Sequence, residues 1–158
     1  MAPDEQPASP HIAVLTVSDS RTTDTDGSGR FLAGAAAEAG HIVVERALLR
    51  DDKYAIRAKV AEWIADELVE VVLPTGGTGI TGRDVTPEAV APLLDKEIAG
   101  SAIARRAFGG IANGTLVFAL PGSTSACRTG WSKILREQLD PGHEPCNLAS
   151  LLPRLRER

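Results

Sequence analysis

Two cysteines, Cys127 and Cys146, are all that this 158-residue chain contains. They stand in no C-x-x-C spacing, so the sequence offers neither a thiolate metal site nor a dithiol redox motif, and both read as buried or half-buried thiols. Positive charge is not in excess either. The formal net charge is -4, with acids spread along the chain, so the basic footprint of a nucleic-acid binder is missing. Long apolar runs are absent: those near Ile12 and Val71 hold a handful of residues, against the ~20 needed to cross a bilayer. The N-terminus has no basic-then-apolar leader. These absences predict a cytoplasmic protein with neither nucleic acid nor membrane as partner. Internal repeats and low-complexity linkers are also lacking.

What is present is an ordinary globular composition, 43% hydrophobic and 24% charged, in a length that suits one domain with a real core. Met1 to Pro10 carries three prolines and two acids and reads as a mobile tail, leaving 11–158 as the domain. Ile12 to Val17 is a β-branched apolar run, as in a strand buried on both faces. Leu32, Ala35, Ala36 and Ala39 share a helical face, with Asp26 or Ser28 able to cap its start and Gly40 its end. His41 to Leu49 reads as a second strand. Asp51 or Asp52 can cap the next helix, whose Ile56, Val60, Trp63 and Ile64 form an apolar stripe. Glu70 to Pro74 is a third strand. Thr86-Pro87 predicts an N-cap followed by proline for a helix to about Leu94. Asn113-Gly114 marks a turn and Thr115 to Leu120 another buried strand. Ser123 caps a helix with Cys127, Trp131, Ile134 and Leu135 inward, stopped by Asp140-Pro141-Gly142. Alternating strands and helices imply an α/β fold, a three-layer, doubly wound, mostly parallel sheet. Its ligands then sit beyond the carboxyl ends of the strands.

Three strand-ending loops carry small polar residues: Ser18-Asp19-Ser20, Thr75 to Gly79, and Pro121-Gly122-Ser123. The second opens the run LPTGGTGITGRD, in which Gly76, Gly77, Thr78 and Gly79 follow the apolar strand directly. Glycines let backbone N–H groups approach an anion and threonines add hydroxyl donors, which makes a phosphate cradle; a purely structural turn is the alternative. It is neither a P-loop nor a dinucleotide fingerprint, since G-K-[ST] and G-x-G-x-x-G are both absent. Asp84 sits at its rim and either holds Mg²⁺ against phosphates or pairs with Arg83 or caps the turn. Asp51 and Asp52 present the same choice between cation binding and helix capping. Ser18 and Asp19 can contact a polar ligand, with a plain side-chain turn the more natural reading for Ser20. Ser123 can cap a helix with or without an anion beside it. His11, His41 and His143 have no partner that suggests acid–base chemistry and are read as structural.

TVSDS at Thr16 to Ser20, TGGTG with RDVTPE at Thr75 to Glu88, DKEIAG at Asp95 to Gly100 and ANGTLVFALPGST at Ala112 to Thr124 together resemble the MoaB/MogA family of molybdenum cofactor biosynthesis, whose fold the gephyrin G and E domains share. The resemblance runs from His11 to about Leu152. ACRTGW at Ala126 to Trp131 and EPCNL at Glu144 to Leu148 look closer to the MoaB branch. Active members of this family are molybdopterin adenylyltransferases that use Mg²⁺ and ATP. The resemblance implies that activity here, with Asp84 and Asp51 catalytic and Asp84, Asp51 and Asp52 around the metal. It places Ser18, Asp19, Gly76, Gly77, Thr78, Gly79, Pro121, Gly122 and Ser123 in the substrate pocket. It also implies a homo-trimer or hexamer and hand-over to other cofactor-synthesis proteins, and leaves a non-catalytic molybdopterin carrier as the alternative. Some family members lack the aspartate of the R-D pair; this chain has it. The match departs at one junction: Gly100 runs straight into Ser101-Ala102-Ile103, where relatives usually carry aromatic and arginine residues. That departure bears on pterin binding and closure more than on the cradle.

Overall fold

In the computed structural model, which describes residues 8–98 and 106–157, the apolar run that begins the domain is strand β1 (His11–Val17). Its side chains alternate between two separate cores. Ile12 and Val14 join one with Leu32, Leu73 and Trp131; Ala13, Leu15 and Val17 join the other with Ile56, Val60 and Trp63. A strand buried at six of its seven positions needs cover on both faces. Helix α1 (Gly27–Glu38) and helix α4 (Thr124–Gly130) cover the first face, and α2 (Lys53–Ala65) with α3 (Thr86–Val90) cover the second. The remaining strands are β2 (Ile42–Leu49), β3 (Val71–Thr75), β4 (Lys96–Glu97), β5 (Phe108–Ala112) and β6 (Thr115–Ala119). Their order in one sheet is β2-β1-β3-β6-β5-β4. The four strands from β2 to β6 run parallel, and β5 and β4 add antiparallel at the far edge.

The predicted doubly wound α/β fold is therefore the one observed, with two strands more than the sequence pattern suggests. Gly109-Gly110 in the middle of β5 interrupts the apolar signal, as glycine inside a strand commonly does. The Asn113-Gly114 turn is the tip of the β5–β6 hairpin. Both residues have positive φ, 47° and 77°, the geometry of a two-residue hairpin turn.

Local capping resolves each of the open choices. Asp26 rather than Ser28 caps α1, its Oδ1 accepting from Gly29 N–H at 2.9 Å. Ala39 is that helix's exposed C-cap rather than part of its inner face, and Gly40 follows at φ 89°. Asp52 rather than Asp51 caps α2, accepting from the N–H groups of Tyr54 and Ala55, both at 3.0 Å. Thr86 is not a cap: it lies inside α3, and its hydroxyl is committed to the glycine-rich loop. Ser123 caps α4 as expected, accepting from Ala126 N–H at 3.2 Å. That helix passes through a π-helical turn (Trp131–Leu135) into a short helix, α5 (Arg136–Gln138), and a 3-10 helix (Ala149–Arg154) follows later in the chain. Of the expected N-terminal tail, residues 1–7 lie outside the described residues, as does the Gly100-Ser101 junction; Pro10 is buried, and its carbonyl accepts from Ile42 N–H at 3.3 Å.

Among the described residues, no helix is long and apolar enough to cross a membrane. Cys127 is buried and Cys146 exposed, both as free thiols.

His41, between α1 and β2, is buried edge-on to Trp131, and neither ring nitrogen has a partner among the described residues. Burial pushes its pKa below the ordinary 6.5, only partly countered by Asp140. The unfolded chain then binds the extra proton first, so stability is full above the unfolded pKa and falls as pH drops through it. Urea midpoints of wild type should therefore decline from neutral pH to about pH 5.5 more steeply than those of His41→Phe. Parallel curves for the two proteins would show that His41 does not contribute.

Candidate functional site

The four parallel strands bring their carboxyl ends to one side of the sheet, and the loops leaving them surround a cavity of about 650 Å³. Ser18 and Asp19 come from the end of β1, Asp51 from β2, Gly76 to Gly79 from β3, and Pro121 to Ser123 from β6. Asp84 completes the rim. All the sequence-predicted site residues but one thus meet in a single hollow. Asp52 is the exception, exposed and engaged as the α2 cap.

The glycine-rich loop is held from behind. Thr75 Oγ1 donates to the Pro121 carbonyl at 2.9 Å, and Gly76 N–H to the Leu120 carbonyl at 3.0 Å. Thr86 Oγ1 donates to the Gly76 carbonyl at 2.7 Å and Thr86 N–H to the Gly77 carbonyl at 3.0 Å. Arg106 donates twice to the Gly79 carbonyl, at 2.8 and 2.6 Å, and once to the Asp84 carbonyl at 2.9 Å. Three loop carbonyls are therefore occupied before any ligand arrives, as an anion-binding nest requires. Gly76 and Gly77 turn at φ 100° and 68°, which side-chain-bearing residues rarely adopt. A Cβ on Gly76 would lie 2.1 Å from the Val17 carbonyl oxygen, and one on Gly122 would lie 3.0 Å from Gly76 Cα. Glycine is thus what lets the loops after β1, β3 and β6 touch.

The three acids of the rim have different surroundings. Asp19 takes a two-pronged contact from Arg83, Nε to Oδ2 and Nη2 to Oδ1, both at 2.9 Å, and also accepts from Asp51 N–H at 3.1 Å. The Arg83 hydrogen bonds hold the Asp19 carboxyl below its usual range. Asp84 therefore does not pair with Arg83. It accepts from Thr81 Oγ1 at 2.6 Å and Thr81 N–H at 3.0 Å, and this bonding lowers its pKa against a smaller effect of burial. Asp51 goes the other way: burial first, then the charges of Asp19 and Asp84, push its carboxyl up. An ideal Cβ on Gly77 would be 3.0 Å from Asp51 Oδ1, and one on Gly79 would be 2.7 Å from Asp84 Oδ2. The two carboxylates thus lie beside the same loop, with Asp51 the more buried and its carboxyl raised first by that burial. Two carboxylates completed by substrate phosphates are a donor set that Mg²⁺ accepts. No cluster of three or more potential ligands exists among the described residues, so the protein alone does not form a cage.

Several contributors escaped sequence reasoning. Ser18, not Ser20, makes the side-chain turn, its Oγ accepting from the N–H groups of Ser20 at 3.2 Å and Arg21 at 3.0 Å. Asp26 is a buried junction as well as a cap, accepting from Thr16 Oγ1 at 2.7 Å and Arg46 Nη2 at 3.2 Å. Thr81, three residues before Asp84, had a local signal in the short polar turn that joins them. Arg106 had none, because its partners lie 27 and 22 residues away.

A family model described as a probable molybdopterin binding domain matches residues 13–141. The chain is similar to molybdenum cofactor biosynthesis protein B of Escherichia coli (strain K12), 48% identical over 151 residues, covering 86% of this chain and 89% of the relative. Among solved structures, a molybdenum cofactor biosynthesis protein B superposes with a TM-score of 0.83 at 35% identity, covering 98% of this chain and 100% of the other. The tungsten cofactor synthesizing protein MoaB from Pyrococcus furiosus superposes with a TM-score of 0.75 at 32% identity, covering 96% and 99%.

Two outcomes follow from this geometry. Gly76→Ala should lose at least about 2 kcal/mol in urea unfolding, because strained φ and the clash with the Val17 carbonyl act together; an unchanged midpoint would contradict the close approach. In carboxyl-carbon NMR, Asp51 should titrate at higher pH than Asp84 and Asp19, and an Asp51 that titrates with or below them would contradict the charge arrangement.

Proposed function

This chain belongs to the MoaB/MogA family of molybdenum cofactor biosynthesis proteins, and from that premise we propose that it is a Mg²⁺-dependent molybdopterin adenylyltransferase. In the proposed reaction an oxygen of the molybdopterin terminal phosphate attacks the α-phosphorus of ATP. The bond from that phosphorus to the bridging oxygen breaks, and pyrophosphate leaves. Chemistry of this kind needs little beyond alignment and charge neutralisation.

The single observation that carries the reading is the placement of Asp51 beside Gly77 and of Asp84 beside Gly79 within one cavity. The amides of Gly77 and Thr78 would receive phosphate oxygens. Asp51 and Asp84 would hold Mg²⁺, which when bound offsets polyphosphate charge. The Arg83–Asp19 pair fixes the segment between Thr81 and Asp84 against the end of β1. Cytoplasmic work, assembly as a trimer or hexamer, and hand-over of the product to other cofactor-synthesis proteins belong to the same proposal. The edge strand β2 supports assembly, since Ile42 and Val44 are exposed on it.

With molybdopterin, ATP and Mg²⁺, wild type should yield adenylylated pterin and pyrophosphate. Asp84→Asn should retain pterin binding and lose turnover by about 100-fold or more. A wild type that binds molybdopterin and forms no product would be a carrier, and the enzymatic reading would fall.

A further inference from the structure

The glycine-rich loop does not account for the whole cavity. At the end nearest α1 lies Ser28, 1% exposed, whose Oγ has no hydrogen-bond partner among the described residues although the residue lines the cavity. It sits in the first turn of a twelve-residue helix. The amides around it are committed: Gly27 N–H to the Thr25 carbonyl at 2.9 Å, Gly29 N–H to Asp26 Oδ1 at 2.9 Å, and Arg30 N–H to the Asp26 carbonyl at 3.2 Å. A buried hydroxyl without a partner is destabilising, and here it stands where the helix dipole favours an anion.

Arg21 supplies positive charge at the same end. Its Nη1 donates to the Thr25 carbonyl at 3.0 Å and would lie 3.5 Å from a Cβ on Gly27, and Arg21 also lines the cavity. The nearby acid, Asp26, is already satisfied by Thr16, Gly29 and Arg46. The two ends of the hollow thus differ in kind. Asp51 and Asp84 make one end hospitable to a polyphosphate that brings its own cation. A phosphomonoester without a metal is repelled there and needs donors free of competing carboxylates.

We propose that Ser28 and Arg21 form a second, metal-independent oxyanion subsite that takes the terminal phosphate of the acceptor, while the glycine-rich loop takes the nucleotide. The division of ligands rests on the adenylyl-transfer reading of this cavity; the oxyanion chemistry of the subsite is tested separately. Ser28, Arg21 and the glycine-rich loop line one cavity, so both phosphates share one hollow.

The probe is inorganic phosphate, titrated into the full chain in the presence of a chelator and followed by backbone amide NMR. The amides of Gly27, Ser28 and Gly29 should shift with phosphate. Ser28→Ala should weaken this binding by about tenfold, as loss of a hydrogen bond to a charged group does, while its melting temperature stays equal or rises because an unpaired buried hydroxyl is gone. Arg21→Gln should weaken it as well and serves if Ser28→Ala fails to fold. Shifts confined to Gly76 to Gly79, or phosphate binding unaltered in both variants, would overturn the subsite and leave the adenylyl-transfer reading standing. Shifts at Ser28 in a protein that makes no adenylylated pterin would do the reverse. In turnover, Ser28→Ala should raise the KM for molybdopterin and leave that for ATP unchanged; equal effects on both would count against the assignment.

Discussion

The cavity at the carboxyl ends of the strands depends on the backbone of Gly76 lying directly against the Val17 carbonyl and beside Gly122. No other residue fits that space, and at φ 100° few would adopt the conformation. Because the contact exists, the ends of β1, β3 and β6 close on one another. Thr75 and Thr86 then tie the loop's frame to Pro121 and to α3. The cavity and the position of its acids are consequences of this approach.

The surrounding fold explains why such a contact is stable. β1 and β3 are buried along nearly their whole length between two apolar layers, so their carboxyl ends are anchored in both cores. Parallel pairing then delivers four strand ends to one side, where loops carry the polar groups. Electrostatics complete the arrangement. Arg83 pairs with Asp19, Thr81 stabilises the Asp84 carboxylate, and burial, with the nearby charges of Asp19 and Asp84, pushes the Asp51 carboxyl up.

Much of this was legible in the sequence because it is written in local patterns. β1, α2 and β6 follow from unbroken or helically spaced apolar residues, and the glycine-rich loop from its composition after a strand. Motif order at the strand ends named residues that the fold brings around one cavity, Asp52 excepted. Local patterns gave less where two residues could do one job: Asp26 and Ser28, or Asp51 and Asp52, are equally good caps on paper. Packing decided between them and released Ser28 and Asp51 into the cavity. β5 was hidden by Gly109-Gly110, and β4 is only two residues long. Contacts between distant segments left no trace at all, as with Arg83 and Asp19 at a separation of 64 residues or Arg106 and the Gly79 carbonyl at 27.

The central claim is that the glycine-rich loop, flanked by Asp51 and Asp84, receives the phosphates of a magnesium-bound nucleotide. Amide NMR of the full chain titrated with Mg²⁺ and ATP tests it most directly. Saturable shifts are expected at Gly77 and Thr78 that need the metal and disappear in a variant carrying Asp51→Asn with Asp84→Asn. Shifts that are indifferent to Mg²⁺ and to both aspartates, or that fall on residues outside this loop, would contradict it.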